Sequence, residues 1–190
     1  NELASFIANC DWEKIAPHFK EDAAYLVLDW VGCAVAGEHY PQVEIAQKYF
    51  IENGDQGNST VIGHQIKCSP RTAAFLNGIA GHVCELDDGH RTAIGHPGSI
   101  AVPTALALGE HLNASGADVL KAVILGYEVF SRLGRTVNPS HYRTWHTTGT
   151  CGTIAAAAAA ASLLKLSAEE TNNAIGIAAT MAGGLVESFG

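Results

Sequence analysis

Charge is scarce in this chain: only 16% of its 190 residues are Asp, Glu, Lys or Arg, where an ordinary soluble domain carries roughly 25%. With apolar residues at 47%, the shortage implies apolar surface that a partner subunit or more chain would cover. Positive charge is scarcer still. Eleven Lys and Arg face nineteen Asp and Glu, a net charge of -8, so no basic stripe exists to meet phosphates and a nucleic-acid partner is excluded. Long apolar runs are missing too. The longest, CGTIAAAAAAASLL over 151–164, falls short of the roughly 18–20 residues of a membrane span. Five cysteines (Cys10, Cys33, Cys68, Cys84, Cys151) form no C-x-x-C pair, which excludes a disulfide framework and a zinc knuckle. A reducing compartment with mostly buried thiols is expected, and no N-terminal signal pattern stands out. A soluble, cytoplasmic protein follows. A P-loop, a dinucleotide fingerprint and an HExxH pair are all absent.

Helical punctuation fills what remains. Helices are expected over 21–37, closed by Gly37, and over 41–54, opened by Pro41 and closed by Gly54. Ser69-Pro70 opens another to about Leu86, and 101–112 follows. Capping-box spacings at Ser115 and Ser167 introduce 118–135 and 171–184, and the alanine segment 151–165 lies between them. Only 58–68 has β-branched alternation, read as a short hairpin or extended excursion. With no repeat and no linker, residues 1–190 read as a single all-α domain of about seven helices. The seven alanines of 155–161 are explained by helix propensity and close backbone packing rather than by chemistry.

Titratable chemistry gathers in two connections. Residues 85–99 read ELDDGHRTAIGHPGS, and 136–150 read TVNPSHYRTWHTTGT. In each, a histidine precedes a helix start rich in small or hydroxyl residues: His96 before Pro97-Gly98-Ser99, and His146 before Thr147-Thr148-Gly149. A helix N-terminus presents unpaired N–H groups to a carboxylate. Threonine hydroxyls add donors, imidazoles move protons near neutral pH, and Arg91 and Arg143 supply cations for a polycarboxylate. The pattern predicts two walls of one pocket. The plainer reading, that Asp87, Asp88 and the glycines are ordinary turn residues, stays open. His82, His64, His39, His18 and His111 lack the glycine–threonine setting and read as surface or satisfied core histidines, with His90 and His141 intermediate. A metal is the rival reading, but neither His90–His96 nor His141–His146 has a usual ligand spacing.

These stretches resemble the MmgE/PrpD family: HVCELDDGHRTAIGHPGSIAVPTALALGE (82–110), GYEVFSRLGR (126–135), HYRTWHTTGTCGTIAAAAAAASLL (141–164) and NAIGIAATMAGGL (173–185). The family's D-[FY]-D-D, short loop and His-Pro are matched by Glu85-Leu86-Asp87-Asp88 and His96-Pro97, and its second histidine by His146. Glu85 departs by one methylene, and Gly89 replaces a threonine found in some members. The resemblance implies a metal-independent enzyme with no cofactor, acting on small di- or tricarboxylates, usually as a homodimer. Its fold is a helical domain plus an α+β lid that this chain does not reach, so the chain reads as an N-terminal portion whose activity alone is doubtful. It implies His96 and His146 as the proton-transfer pair, with Asp87 and Asp88 in the catalytic set. These acids and Glu85 would orient both histidines and raise their pKa. Glu85, Arg91, Arg143, Thr147 and Thr148 would bind substrate. The expected activity is a carbon–oxygen lyase of the 2-methylcitrate dehydratase type, within propionate catabolism. A cis-aconitate-type decarboxylase, an iminodisuccinate-type epimerase and a non-catalytic dimerisation domain are the alternatives.

Overall fold

The computed structural model describes residues 2–189. Eight α-helices carry the described chain: α1 Glu2–Ala8, α2 Pro17–Gly37, α3 Pro41–Glu52, α4 Pro70–His82, α5 Gly98–Leu112, α6 Gly116–Val137, α7 Thr147–Leu163 and α8 Ala168–Met181. The seven expected from sequence are all present. The eighth, α1, is only seven residues long, and its isolated helicity is weak enough that packing of Ala4 and Ile7 has to hold it. The excursion at 58–68 is a two-stranded antiparallel hairpin, β1 Ser59–Thr60 and β2 Lys67–Cys68, with Ser59 opposite Cys68.

Caps follow the sequence signals. Ser69, Ser115 and Ser167 accept the backbone N–H of Thr72, Asp118 and Glu170, and Glu170 completes the capping box at α8. Gly54 takes a left-handed φ of 74° after α3, as a closing glycine should. Gly37 differs from expectation. The residue after it, Glu38, is right-handed at φ -55°, so no left-handed cap forms there. A Cβ on Gly37 would lie 2.0 Å from the Ala80 carbonyl oxygen, so glycine is needed there for α2 to touch α4.

Helix α7 sits centrally, packing most extensively on α6 and also against α5 and α8. Its alanines Ala155, Ala158, Ala159 and Ala161 are buried, joined in the core by Trp30, Val102, Val123, Leu125 and Phe130. Small side chains there let three neighbours approach one helix at once. Two helix starts are thereby set side by side: α5 at Gly98, and α7 at Thr147. Both begin earlier than sequence suggests, because the glycine and threonine residues read as connection form the first turns. All five cysteines are free, with Cys33, Cys68 and Cys151 buried. Among the described residues, no helix is long and apolar enough to cross a membrane.

Candidate functional site

The two histidine-bearing connections meet. The backbone N–H of His96 donates to the Thr148 hydroxyl at 3.0 Å, tying the segment before α5 to the first turn of α7. Around this junction lies an open cavity of about 800 Å³ whose wall includes His82, Ser99, His146, Thr148 and Gly149. The rest of the wall is largely apolar, with Phe75, Ile79, Val83, Ile100 and Pro103 prominent. His96 is not part of the wall, but its ring centroid stands 4.7 Å from that of His82, which is.

Asp87 organises the histidines. Its side chain is fully buried, and His82 Nδ1 lies 2.9 Å and 3.1 Å from its two oxygens. His96 Nδ1 lies 3.5 Å from the second oxygen and makes no hydrogen bond. A carboxylate taken out of water is costly to bury unless such partners surround it. Asp88 takes another one: Tyr127 donates its hydroxyl to Asp88 Oδ1 at 3.0 Å. Gly98, at the start of α5, makes room for that bond. A Cβ there would come within 2.1 Å of Asp88 Oδ1 and 2.7 Å of the Tyr127 oxygen.

Electrostatics separate the titrating groups. The hydrogen bond that His82 donates to Asp87 holds the His82 pKa above the usual imidazole value, against the opposing effect of burial, with Asp87 and Glu85 charges adding to the rise. His146 moves the other way. Burial lowers its pKa, nearby His82 and His96 lower it further, and Glu85 opposes them. The expectation that the acids raise the pKa of both histidines is therefore corrected at His146, where desolvation and neighbouring imidazoles outweigh one exposed carboxylate. Burial pushes Asp88 upward too, opposed by the Tyr127 hydrogen bond, and the Tyr127 hydroxyl is raised in turn, chiefly by burial.

The remaining expected residues are scattered. Glu85 is exposed, in a left-handed conformation with φ 49° just beyond α4; its backbone N–H donates to the His82 carbonyl at 2.8 Å, and its charge acts on His82 and His146. Arg91 and Arg143 are exposed and neither belongs to the cavity wall, where the arginine present is Arg71, from the first turn of α4. Thr147 is fully buried and accepts a hydrogen bond from Asn138 at 3.0 Å, so it shapes the turn rather than the cavity. Thr148 is on the wall. His90 and His141 serve their own connections: His90 Nδ1 accepts the Ala93 N–H, and His141 Nε2 meets the Thr150 hydroxyl at 2.7 Å. His82 is the residue sequence reading passed over. It ends an apolar helix, with Val83 rather than a glycine–threonine entry after it, and its sequence signal is the five-residue step to Asp87 across the helix end.

Comparison with known proteins gives this geometry a context. Over residues 1–190 the chain matches the model of the MmgE/PrpD N-terminal domain. A cis-aconitate decarboxylase-like protein, oryM, of Aspergillus oryzae is 35% identical over 97% of this chain and 40% of its own length. The cis-aconitate decarboxylase of Aspergillus terreus is 33% identical over 99% of this chain and 40% of its own length. The human cis-aconitate decarboxylase is 34% identical over 83% and 34%, respectively. The chain thus spans about 40% or less of the length of these relatives. With its motifs in family order and a domain match from end to end, the chain belongs to the MmgE/PrpD family.

Proposed function

We propose that this chain carries the proton-transfer half of a lyase acting on a small polycarboxylate of the cis-aconitate or citrate kind. The observation behind the reading is the shared cavity: His146 and His82 stand on one wall set, His96 touches His82, and the first turn of α7 opens onto the same space. Carboxylates of the substrate would be received by the N–H groups at the start of α7 and by the Thr148 hydroxyl. Arg71 offers the cation role expected of Arg91 and Arg143.

Groups with pKa values pushed in opposite directions suit acid and base roles. His146, held neutral, is the base. His82, whose pKa the hydrogen bond to Asp87 raises, holds the proton to be given, with the His96 ring packed beside it. In decarboxylation, the bond from carbon to a carboxylate breaks, carbon dioxide leaves, and the electron pair left on carbon takes a proton from the imidazolium. In dehydration, His146 removes the proton next to a carboxylate and the protonated partner delivers its proton to the departing hydroxide.

Decarboxylation of a cis-aconitate-like acid is the leading reading, because the relatives named above bear that activity in their names. Dehydration of 2-methylcitrate is the second, favoured by Asp88, a half-buried acid near His96 whose pKa burial raises. Neither reading routes a step through a cofactor. The experiment is NMR of the purified full-length protein that carries this chain, with cis-aconitate, 2-methylcitrate and iminodisuccinate in deuterated buffer. Loss of carbon dioxide with one deuterium entering the product supports the first reading, and water loss supports the second. Inertness toward all three acids refutes the lyase proposal.

The homodimer and the cytoplasmic setting belong to the same proposal. Tyr25, Leu28, Ile45 and Tyr49 on α2 and α3 are each more than 60% exposed, which supports a covering surface. Sedimentation at equilibrium tests it, and a monomer at all concentrations refutes it.

A further inference from the structure

His82, Asp87 and His96 form a three-ligand constellation that the proposed chemistry does not require as such. One nitrogen from each imidazole and one Asp87 oxygen all lie within 4.8 Å of one another. Ligand atoms around a tetrahedral zinc ion sit roughly 3.3 Å apart, given metal–ligand bonds near 2.0–2.1 Å. The contacts of Asp87 Oδ2 with His82 Nδ1 and His96 Nδ1, 3.1 Å and 3.5 Å, already bracket that spacing. Only the imidazole–imidazole edge has to close, by about 1.5 Å at most, which two ring rotations can supply.

A second observation points the same way. His96 Nδ1 is sealed from solvent, directed to within 3.5 Å of a carboxylate oxygen, and makes no hydrogen bond. A buried imidazole nitrogen without a partner is costly, and a cation between it and Asp87 would satisfy it. The donor set of two imidazoles and one carboxylate is one that zinc-class transition ions take, while two nitrogens make it poor for magnesium or calcium. His82 also lines the 800 Å³ cavity, so an ion there would have an open face for water or a substrate carboxylate.

We propose that His82, Asp87 and His96 form a binding site for one zinc-class divalent ion, and that the ion inhibits the protein by taking His96 and His82 out of proton transfer. Sequence spacing missed the site because it compared His90 with His96 and His141 with His146, whereas the fold brings together residues fourteen positions apart. The inhibitory consequence rests on the lyase reading above; the binding does not. Zinc would displace the proton held between His82 and Asp87.

Calorimetric titration of chelator-treated protein with zinc chloride tests the site. One equivalent should bind, cobalt should give the visible absorption of a low-coordinate ion, and magnesium should produce no heat of binding. His82→Asn and His96→Asn, each checked for folding by circular dichroism, should weaken zinc at least about tenfold, since even an outer-shell change costs a metal site that much. Asp87→Asn is less informative because its side chain is fully buried. Failure to bind zinc saturably, equal binding by magnesium, or undiminished binding in both variants overturns the site and leaves a hydrogen-bonded network. Turnover assayed alongside should fall with zinc and return with chelator; tight binding that leaves turnover unchanged overturns the inhibition. A protein inert toward all three acids defeats the lyase reading, while the calorimetry still decides the metal site.

Discussion

His146 combines three properties a general base needs: a place on the cavity wall, an N-terminal position on α7 and a pKa held below the ordinary imidazole value. Replacing it with alanine should lower kcat by roughly 10²–10⁴-fold, and a loss below about threefold would remove it from the role. Because burial favours its neutral form, the acid limb of the kcat/KM profile should have its midpoint below about pH 6.5, the ordinary histidine value. A midpoint above that value would assign the limb to another group. The site residues themselves were unevenly readable. His96, His146, Asp87 and Asp88 stand out in sequence because turn chemistry surrounds them. His82 does not, since it looks like any polar residue ending an apolar helix, and only the chain reversal after α4 carries Asp87 back to it.

At the level of elements, the helix starts decide the site. Helix α5 begins at Gly98 without a side-chain cap, and its first residue packs where the Asp88–Tyr127 hydrogen bond passes. Helix propensity alone favours alanine there by about 1 kcal/mol. The contact argues the opposite, with a Cβ only 2.1 Å from Asp88 Oδ1. Gly98→Ala should therefore leave the fold largely intact while displacing Asp88, lowering kcat/KM by about 10²-fold, the scale on which a misplacement of about 1 Å acts. Unchanged kinetics with a raised melting temperature would show that propensity wins and that Asp88 has no positioning role. Capping signals make several helix ends legible, while α5 and α7, like α2 and α8, start three or four residues before the expected positions. Glycine and threonine read as breakers in sequence, yet at these positions the backbone follows the helix because its neighbours hold it.

For the molecule as a whole, tightness around α7 is the governing feature. Ala158 and Ala159 are fully buried between neighbouring helices, and no larger side chain has room there. Ala159→Leu should destabilise the protein by about 1–3 kcal/mol despite leucine's good helix propensity. For a chain of this size that corresponds to a fall in Tm of roughly 2–4 °C per kcal/mol, measurable by thermal melting. A melting temperature within error of the parent would mean that the core has slack that the packing does not suggest.

Local chemistry determined what the sequence could determine alone. Proline and serine starts and glycine stops depend on a few neighbouring residues, so the all-α class, the hairpin and the two chemistry-bearing connections were already written there. Tertiary structure decided what depends on distance in space. It placed Arg71 rather than Arg91 or Arg143 at the cavity, turned Thr147 inward and Thr148 toward the wall, and set His82 against Asp87. It also gave His82 and His146 opposite pKa shifts, because burial and neighbouring charge are properties of assembled surroundings that no single segment carries.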